Sequence, residues 1–334
     1  GHLKNMKSES NTSRRSFLKR SLAAAAVVPV ISSFEEKILL AQTSSAQSAA
    51  SEKPKVNMPM GTIGKFKISR IICGGNLISG YAHSRDLIYV SRLLKAYFTD
   101  EKIMETWALC EQYGINTMIF NPHDPHAVAV YKKYRQNGGK IQYIAQLDPN
   151  PSDLARNIKE AVDTGAIGAL LVGNYGDAWT RENKIDLIAR FIDIIKSEGI
   201  IAGVAGHEIR TVMAVEKAGI KPDFYMKTLH SENYWSKRRP DQNKEVIDNY
   251  AVDNYWCIDP EATIRYMSQV QRPWLAYKVL AAGAIHPRVG LKYAFDNGAD
   301  FCVVGMFDFQ VAENAALTVE AVNAAKNRDR DWMA

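Results

Sequence analysis

Histidine and acidic side chains follow two short apolar runs near the middle of the chain. His207 and Glu208 follow the run at residues 200–204, and His230 follows the run at residues 224–227. If these runs are adjacent strands, the side chains meet at one end of a sheet, and imidazole and carboxylate groups bind Zn²⁺ or Mn²⁺. We therefore predict a divalent-metal site, with the alternative that the histidines only form hydrogen bonds to a substrate or to neighbours. The predicted ligands are His207, Glu208, His230 and Asp148, which follows an earlier apolar run.

Two lysines lie inside apolar runs, where a charge is costly unless it faces a polar cavity or a partner. Lys227 ends the run at residues 224–227, and Lys278 lies in the run at residues 275–279. We predict that both side chains face the interior of a barrel, with an active-site mouth as the alternative for Lys227. Two nearby ammonium groups lower each other's pKa, which would free an amine for Schiff-base or general-base chemistry. The alternatives are a structural ion pair for each lysine, or stabilisation of a developing enolate by Lys278.

A compact polar cluster occupies residues 121–126, with the sequence NPHDPH. One of its histidines could act as an acid or base near neutral pH, and Asp124 could instead cap a helix. With this cluster included, the predicted catalytic residues are Lys227, Lys278, His230, Glu208 and His123.

Aromatic, amide and charged residues are frequent in two long segments that follow apolar runs, residues 75–99 and 230–258. Rings beside amides and charges suit a hydroxyl-rich ligand, and they suit the packing of a lid equally well. The predicted substrate-binding residues, in these segments and after other runs, are Asn76, Tyr81, His83, Arg85, Asn121, Asn174, Tyr234 and Trp235.

The elements that would position these residues form a repeated pattern. Eight short apolar runs are each followed by a loop and a helical pattern, and residues 58–68 resemble a small hairpin with a Gly-containing turn. We predict an α/β fold, a (β/α)8 TIM barrel with an N-terminal capping hairpin, as one domain over residues 57–330. An open doubly wound sheet is the alternative. The predicted strands are residues 71–74, 117–120, 143–147, 168–172, 200–204, 224–227, 275–279 and 301–304.

The first 50 residues have the character of an export signal and linker. Residues 13–19 (SRRSFLK) are basic and precede an apolar run at residues 22–31, a pattern that resembles a twin-arginine signal. The run is shorter than the roughly 20 residues of a membrane-spanning helix. We therefore predict a twin-arginine signal peptide with a linker over residues 1–50, a periplasmic location and no stable membrane span.

The net charge limits the kind of partner that the protein is expected to bind. The formal net charge is +6, and residues 1–50 contribute +4 of it, from seven Lys or Arg and three Asp or Glu. The remaining +2 is too small for a nucleic-acid surface, so we expect a small-molecule substrate and no nucleic acid.

The four cysteines lack Cys-x-x-Cys spacing, so we expect mostly buried thiols.

The region after the hairpin resembles the opening of the aldo/keto reductases. The residues that carry the resemblance are 68–76 (ISRIICGGN), with 303–306 (VVGM) and 311–314 (VAEN) similar to that family's last strand and last long helix. The resemblance implies NADPH-dependent carbonyl reduction by an Asp, Tyr, Lys and His tetrad. This chain departs from that pattern at several positions. Asn121 stands where the aspartate is implied, the third strand leads to Asp148 without a lysine, and the fourth leads to Asn174 without a histidine. Residues 306–310 lack the groups that would hold a nucleotide phosphate, so NADP is not expected.

The functional prediction is an exported barrel enzyme that acts on a small polar, carbohydrate-like substrate by metal-assisted proton transfer, as a lyase or isomerase. One alternative is an NADPH-dependent reductase of the aldo/keto type with an altered site. The other is a barrel that binds a sugar without catalysis.

Overall fold

The computed structural model describes residues 56–81, 87, 89–237 and 257–334. The predicted signal peptide and linker, residues 1–50, lie outside the described residues.

Eight parallel strands close into a barrel, and an antiparallel hairpin precedes them. The strands of the barrel pair in chain order, and the last pairs with the first. The predicted TIM barrel with a capping hairpin is therefore confirmed, and the alternative of an open sheet is wrong. The hairpin consists of β1 (Met60–Ile63) and β2 (Phe66–Ser69), and the barrel of β3 (Ile71–Gly74), β4 (Thr117–Phe120), β5 (Gln142–Leu147), β6 (Gly168–Leu171), β7 (Ile201–Gly206), β8 (Phe224–Thr228), β9 (Trp274–Tyr277) and β10 (Phe301–Gly305).

Helices connect successive strands and cover the outside of the barrel. Short polar side chains begin several of them: Thr99 accepts from the backbone N–H of Lys102, and Asp124 accepts from that of His126. Within the described ranges, no helix is both long and apolar enough to cross a membrane. The helices are α1 (Val90–Tyr97), α2 (Asp100–Gln112), α3 (Pro125–Gln136), α4 (Leu154–Asp163), α5 (Gly173–Arg181), α6 (Ile185–Ser197), α7 (Ile209–Lys217), α8 (Pro260–Met267), α9 (Pro287–Asp296) and α10 (Asp308–Ala324).

Alternate side chains of the strands fill the barrel interior. Ile72 of β3, Ile144 of β5 and Leu275 of β9 are buried there together with Ile63 and Ile68 of the hairpin. Since side chains on a strand alternate, the residues between them face the helices. The hairpin closes the end at which the strands begin, so polar residues that follow the strands lie at the opposite end, the barrel mouth.

A buried ion pair stabilises the end of the barrel at which the strands begin. Asp300 precedes β10 and is fully buried, and Nη1 of Arg330 donates to its Oδ2 over 2.7 Å. The Arg330 guanidinium also donates to the backbone carbonyl oxygens of Met267, Val270, Arg272 and Gly298. Removal of Arg330 leaves buried Asp300 with only the more distant charge of Arg328, whose Nη2 lies 3.8 Å from its Oδ1. The loss of the closer partner of a buried charge is costly.

Arg330→Met should therefore destabilise the barrel by about 3 kcal/mol, measured as the free energy of unfolding in urea. Arg288→Met is the matched control, because the Arg288–Glu320 pair lies on the exposed surface and should contribute less than about 1 kcal/mol. Equal effects of the two substitutions would contradict a stabilising role for the buried pair.

Candidate active site

The end of β7 places a histidine against a buried carboxylate. His207 and Glu208 lie between β7 and α7, and Asp177 lies on α5. Asp177 is fully buried, and its Oδ2 lies 2.8 Å from Nδ1 of His207. Its carboxylate also accepts from the backbone N–H groups of His207 and Glu208 and from the hydroxyl of Thr211. Together these bonds fix the position and orientation of the imidazole ring.

Two glycines of α5 permit this close approach. A Cβ on Gly176 would lie 2.1 Å from the carbonyl oxygen of Ala205, so only glycine lets α5 pack this closely on β7. A Cβ on Gly173 would lie 2.5 Å from the hydroxyl oxygen of Tyr277 and 2.8 Å from Cε1 of His207. The absence of a side chain at Gly173 therefore leaves room for the ring of His207 and the hydroxyl of Tyr277.

Burial and hydrogen bonding determine the charges of the pair. Burial and the nearby charge of Lys278 lower the pKa of His207 to about 4, although the bond to Asp177 opposes this shift. Burial acts to raise the pKa of Asp177, but the hydrogen bonds from His207 and Thr211 outweigh it, so that this pKa is lowered. At neutral pH the pair is thus a neutral imidazole beside an ionised carboxylate.

The tautomer of His207 follows from this arrangement. Because the ionised Asp177 can only accept a hydrogen bond, Nδ1 of His207 carries the proton and Nε2 carries the lone pair. Nε2 has no hydrogen-bond partner among the described residues, and part of its surface is accessible to solvent. This nitrogen is therefore open to a ligand at the barrel mouth.

Tyr277 brings a phenol to the same place. It ends β9 and, like Leu275, belongs to the group of side chains in the barrel interior. Its ring centroid lies 5.5 Å from that of His207, and its buried hydroxyl has no hydrogen-bond partner within the described ranges. Burial raises the pKa of Tyr277 well above its usual value. The phenol therefore stays protonated and can donate to an oxygen atom of a ligand.

Lys278 follows Tyr277 with a left-handed backbone, at φ +57°. Residues other than glycine rarely adopt this conformation, and here it ends β9 and breaks the alternation of its side chains. Lys278 is half-buried, and its charge lies near enough to lower the pKa of His207. The structure thus brings Lys278, His207 and Tyr277 together at the mouth.

Lys227 lies on the opposite side of its strand from the one predicted. Phe224 and Met226 are the side chains of β8 that face the barrel interior. Because side chains alternate, Lys227 lies with Tyr225 on the side of the helices. It is only 1% exposed, its Nζ donates to the hydroxyl and carbonyl oxygens of Thr228, and burial lowers the pKa of Lys227. The prediction that Lys227 faces the barrel interior is therefore wrong, and its amine is engaged by Thr228.

His230 is held by backbone groups. Its Nε2 accepts from the N–H of Cys257 over 2.7 Å, and its Nδ1 lies 2.9 Å from the carbonyl oxygen of Ser231. Both ring nitrogens are therefore occupied. The catalytic and metal-ligating roles of His230 stay predictions, and either one would require a ring nitrogen to exchange its present partner for a ligand.

The four predicted metal ligands do not come together. Glu208 forms an ion pair with Arg210 through Oε2, and Asp148 belongs to a different cluster at the ends of β4 and β5. Among the described residues, no three His, Cys, Asp or Glu side chains form a group that could hold a metal ion. The set of His207, Glu208, His230 and Asp148 is therefore not a metal site in this structure.

His123 and Asp148 form a second histidine–carboxylate pair. Nδ1 of His123 lies 2.8 Å from Oδ2 of Asp148. Nε2 of His123 lies 2.9 Å from Nδ2 of Asn157. The backbone N–H of His123 donates to Oδ1 of Asn121. Burial raises the pKa of Asp148, although the bond and charge of His123 oppose the shift. The His123–Asp148 pair is more exposed than the His207–Asp177 pair. Both ring nitrogens of His123 have partners, however, so the catalytic role predicted for His123 would require Asn157 to move.

The other predicted substrate-binding residues lie around the mouth at different depths. Tyr81 and Trp235 are exposed, whereas Asn76 and Asn174 are half-buried. The ring of Tyr234 packs edge-on against that of His230, with centroids 5.7 Å apart. His83 and Arg85 lie outside the described residues.

Sequence reasoning missed three residues of this site: Asp177, Tyr277 and Gly173. Asp177 lies inside a helix and Tyr277 inside an apolar run, and neither position is distinctive by itself. A usable signal was the Gly-x-x-Gly spacing of Gly173 and Gly176 directly after β6, which allows a helix to approach a strand closely.

Comparisons with known proteins support the fold. No family model matches the chain, and no curated protein matches it. A putative aldo-keto reductase from Pseudomona aeruginosa matches with 15% identity and a TM-score of 0.53, over 80% of this chain and 96% of that chain. Gox0644 in its apo form matches with 10% identity and a TM-score of 0.53, over 82% and 94%. A mutant of Gox0644 in complex with NADPH matches with 10% identity and a TM-score of 0.52, over 82% and 96%.

Likeness at these identities shows a shared fold, and function depends on the residues of the site. At the ends of β4, β5 and β6, where the resemblance implied a reductase tetrad, this chain has Asn121, Asp148 and Asn174. Its own grouping of histidine, tyrosine and lysine lies instead at the ends of β7 and β9.

The lowered pKa of His207 predicts a loss of stability in mild acid. An unfolded chain binds a proton at histidine near pH 6.5, as usual, whereas the folded protein does so only near pH 4. Stability that is complete above pH 6.5 should fall by up to about 3 kcal/mol as the pH decreases to 4. Urea unfolding at a series of pH values measures this loss. His207→Gln should flatten the pH dependence, and His286→Gln, at an exposed helix start, should not; the same curve for both variants would contradict the assignment.

Proposed function

We propose that the protein is an enzyme that transfers protons on a small, polar, carbohydrate-like substrate, as a lyase or isomerase. The observation that carries the proposal is the open Nε2 of His207, unprotonated at neutral pH because of the lowered pKa of His207, with its Nδ1–H fixed on buried Asp177. A positioned imidazole with a free lone pair can accept a proton as a general base.

Each neighbouring group has a distinct part in such a reaction. Nε2 of His207 would remove a proton from a carbon next to a carbonyl group, and Asp177 would stabilise the imidazolium that forms. The Tyr277 hydroxyl would donate to the substrate oxygen on which negative charge develops, and the Lys278 ammonium would stabilise that charge. In an isomerisation, the proton of the hydroxyl group on the α-carbon moves to the former carbonyl oxygen, and the imidazolium returns its proton to the former carbonyl carbon. In an elimination, the imidazolium instead protonates a hydroxyl group on the β-carbon, which leaves as water when its C–O bond breaks.

Two buried polar atoms favour a substrate rich in oxygen. The hydroxyl of Tyr277 and Oε1 of Glu208 both lack hydrogen-bond partners within the described part of the chain. A buried polar atom without a partner costs about 1–3 kcal/mol. A substrate with a carbonyl and a hydroxyl group would supply an acceptor for Tyr277 and a donor for Glu208.

His207→Gln should reduce proton transfer by at least about 100-fold, because glutamine retains an amide donor for Asp177 but has no basic nitrogen. The assay follows deuterium uptake from D₂O by NMR over a panel of aldoses, ketoses and uronic acids. The exposed His286 provides the matched control, and His286→Gln should exchange at the wild-type rate.

Other outcomes distinguish the alternatives. Deuterium uptake that persists in His207→Gln would contradict the proposed base. Oxidation of NADPH by members of the panel, without exchange, would favour carbonyl reduction. Ligand-induced thermal stabilisation with neither exchange nor oxidation would favour a non-catalytic sugar-binding barrel.

We also propose that the protein is exported to the periplasm by the twin-arginine route. The basic residues 13–19 and the apolar run at 22–31 support this location. Arg14→Lys combined with Arg15→Lys should retain the protein in the cytoplasm, as measured by cell fractionation. Arg20→Lys is the matched control and should be exported normally. Periplasmic accumulation of the double variant at the wild-type level would contradict the route.

A further inference from the structure

A cavity of about 480 Å³ lies beside the loop that follows β3, within the range of roughly 300–1,000 Å³ typical of small-molecule sites. Its walls come from that loop, from the region of α1 and from the segment that begins α3. The polar and aromatic residues in these walls are Ser79, Tyr81, Lys95, His123, Asp124 and His126. We propose that this cavity binds one unit of a neutral saccharide, at a site separate from His207.

Ser79 is the observation that points to a ligand. It is 93% buried, at 7% exposure, and lines the cavity. Its hydroxyl oxygen has no hydrogen-bond partner among the residues that the structure describes. A buried hydroxyl that lacks a partner carries a desolvation cost, and a hydroxyl group of a bound sugar would satisfy it.

The wall that carries Ser79 is fixed in place before any ligand binds. The backbone N–H of Tyr81 donates to the carbonyl oxygen of Asn76 over 2.8 Å, and the hydroxyl of Ser91 donates to the carbonyl oxygen of Gly80 over 2.6 Å. A Cβ on Gly80 would lie 2.7 Å from the side chain of Lys95, so the loop packs closely on α1. A wall held in this way lowers the entropic cost of binding.

The start of α3 and the rim at Tyr81 favour a neutral ligand over an anion, although the ammonium of Lys95 also lines the cavity. Pro125, at the first turn of α3, has no N–H group, and the backbone N–H of His126 already donates to Asp124. The helix start therefore offers few donors to a phosphate group. Burial and the charges of Asp124 and Asp148 raise the pKa of Tyr81, which is consistent with a negative potential at the rim.

The remaining groups match a sugar ring. Tyr81 is 45% exposed at the rim, so its ring offers a face to the apolar side of a saccharide. The carboxylate of Asp124 accepts hydrogen bonds from hydroxyl groups, and the ammonium of Lys95 donates to them. An exposed ring beside a donor, an acceptor and an unsatisfied hydroxyl is a set that recognises polyols.

The cavity and the His207 site belong to opposite sides of the barrel. In the strand order, β3 and β4 lie four strands away from β7 and β8. The inference therefore does not rest on proton transfer at His207. Binding in the cavity should persist in a protein that has lost its catalytic base.

The test is isothermal titration calorimetry of the full chain with a panel of neutral mono- and disaccharides. For the member that binds best, Ser79→Ala should weaken binding at least about fivefold, and Tyr81→Ala at least about tenfold. The matched controls are Ser197→Ala, at an exposed helix end, and Tyr89→Ala, at a tyrosine that is 55% exposed outside the cavity. Both controls should bind like the wild type, and so should His207→Gln.

Several results would overturn the inference. The first is that no saccharide binds measurably at millimolar concentration. The second is that inorganic phosphate displaces the bound saccharide. The third is that the affinity for the saccharide falls in His207→Gln but not in Tyr81→Ala. Because Tyr81 is exposed, its truncation should leave the unfolding midpoint unchanged, and a loss of affinity then reports on binding alone.

Discussion

The buried carboxylate of Asp177 is the constraint on which the candidate active site depends. A fully buried carboxylate is tolerated only when hydrogen bonds compensate its lost hydration. Here the compensation comes from an imidazole, a hydroxyl and two backbone N–H groups, all from the end of β7 and the start of α7. The hydrogen bonds to Asp177 therefore connect α5 with the end of β7 and with α7. They also leave Nε2 of His207 facing the barrel mouth.

The fold could be predicted from the sequence because its signals are local. Apolar runs of strand length, glycines at helix ends and helical patterns between them recur along the chain, and only one architecture accommodates eight such units in a closed sheet. The boundaries were less predictable, since they depend on pairing between strands. For example, β7 continues to Gly206, two residues beyond the predicted end, because Ala205 and Gly206 pair with Met226 and Lys227 of β8.

The site was harder to predict because its decisive contacts are not local. His207 and Glu208 were recognised, but their partner Asp177 lies 30 residues earlier, inside a helix whose pattern gives no sign of it. Lys227 was placed in the interior because it ends an apolar run, yet a change of one position along a strand reverses the direction of a side chain. His230 has the right type for catalysis, but backbone groups of Ser231 and Cys257 occupy its ring.

The hairpin of β1 and β2 determines how molecules reach and leave the mouth. Ile63 and Ile68 close the end at which the strands begin, and apolar side chains fill the barrel between that end and His207. A molecule that binds beside His207 must therefore depart through the same opening by which it entered. Under the proposed function, product that still occupies the site would exclude the next substrate, so the two would compete for the free protein.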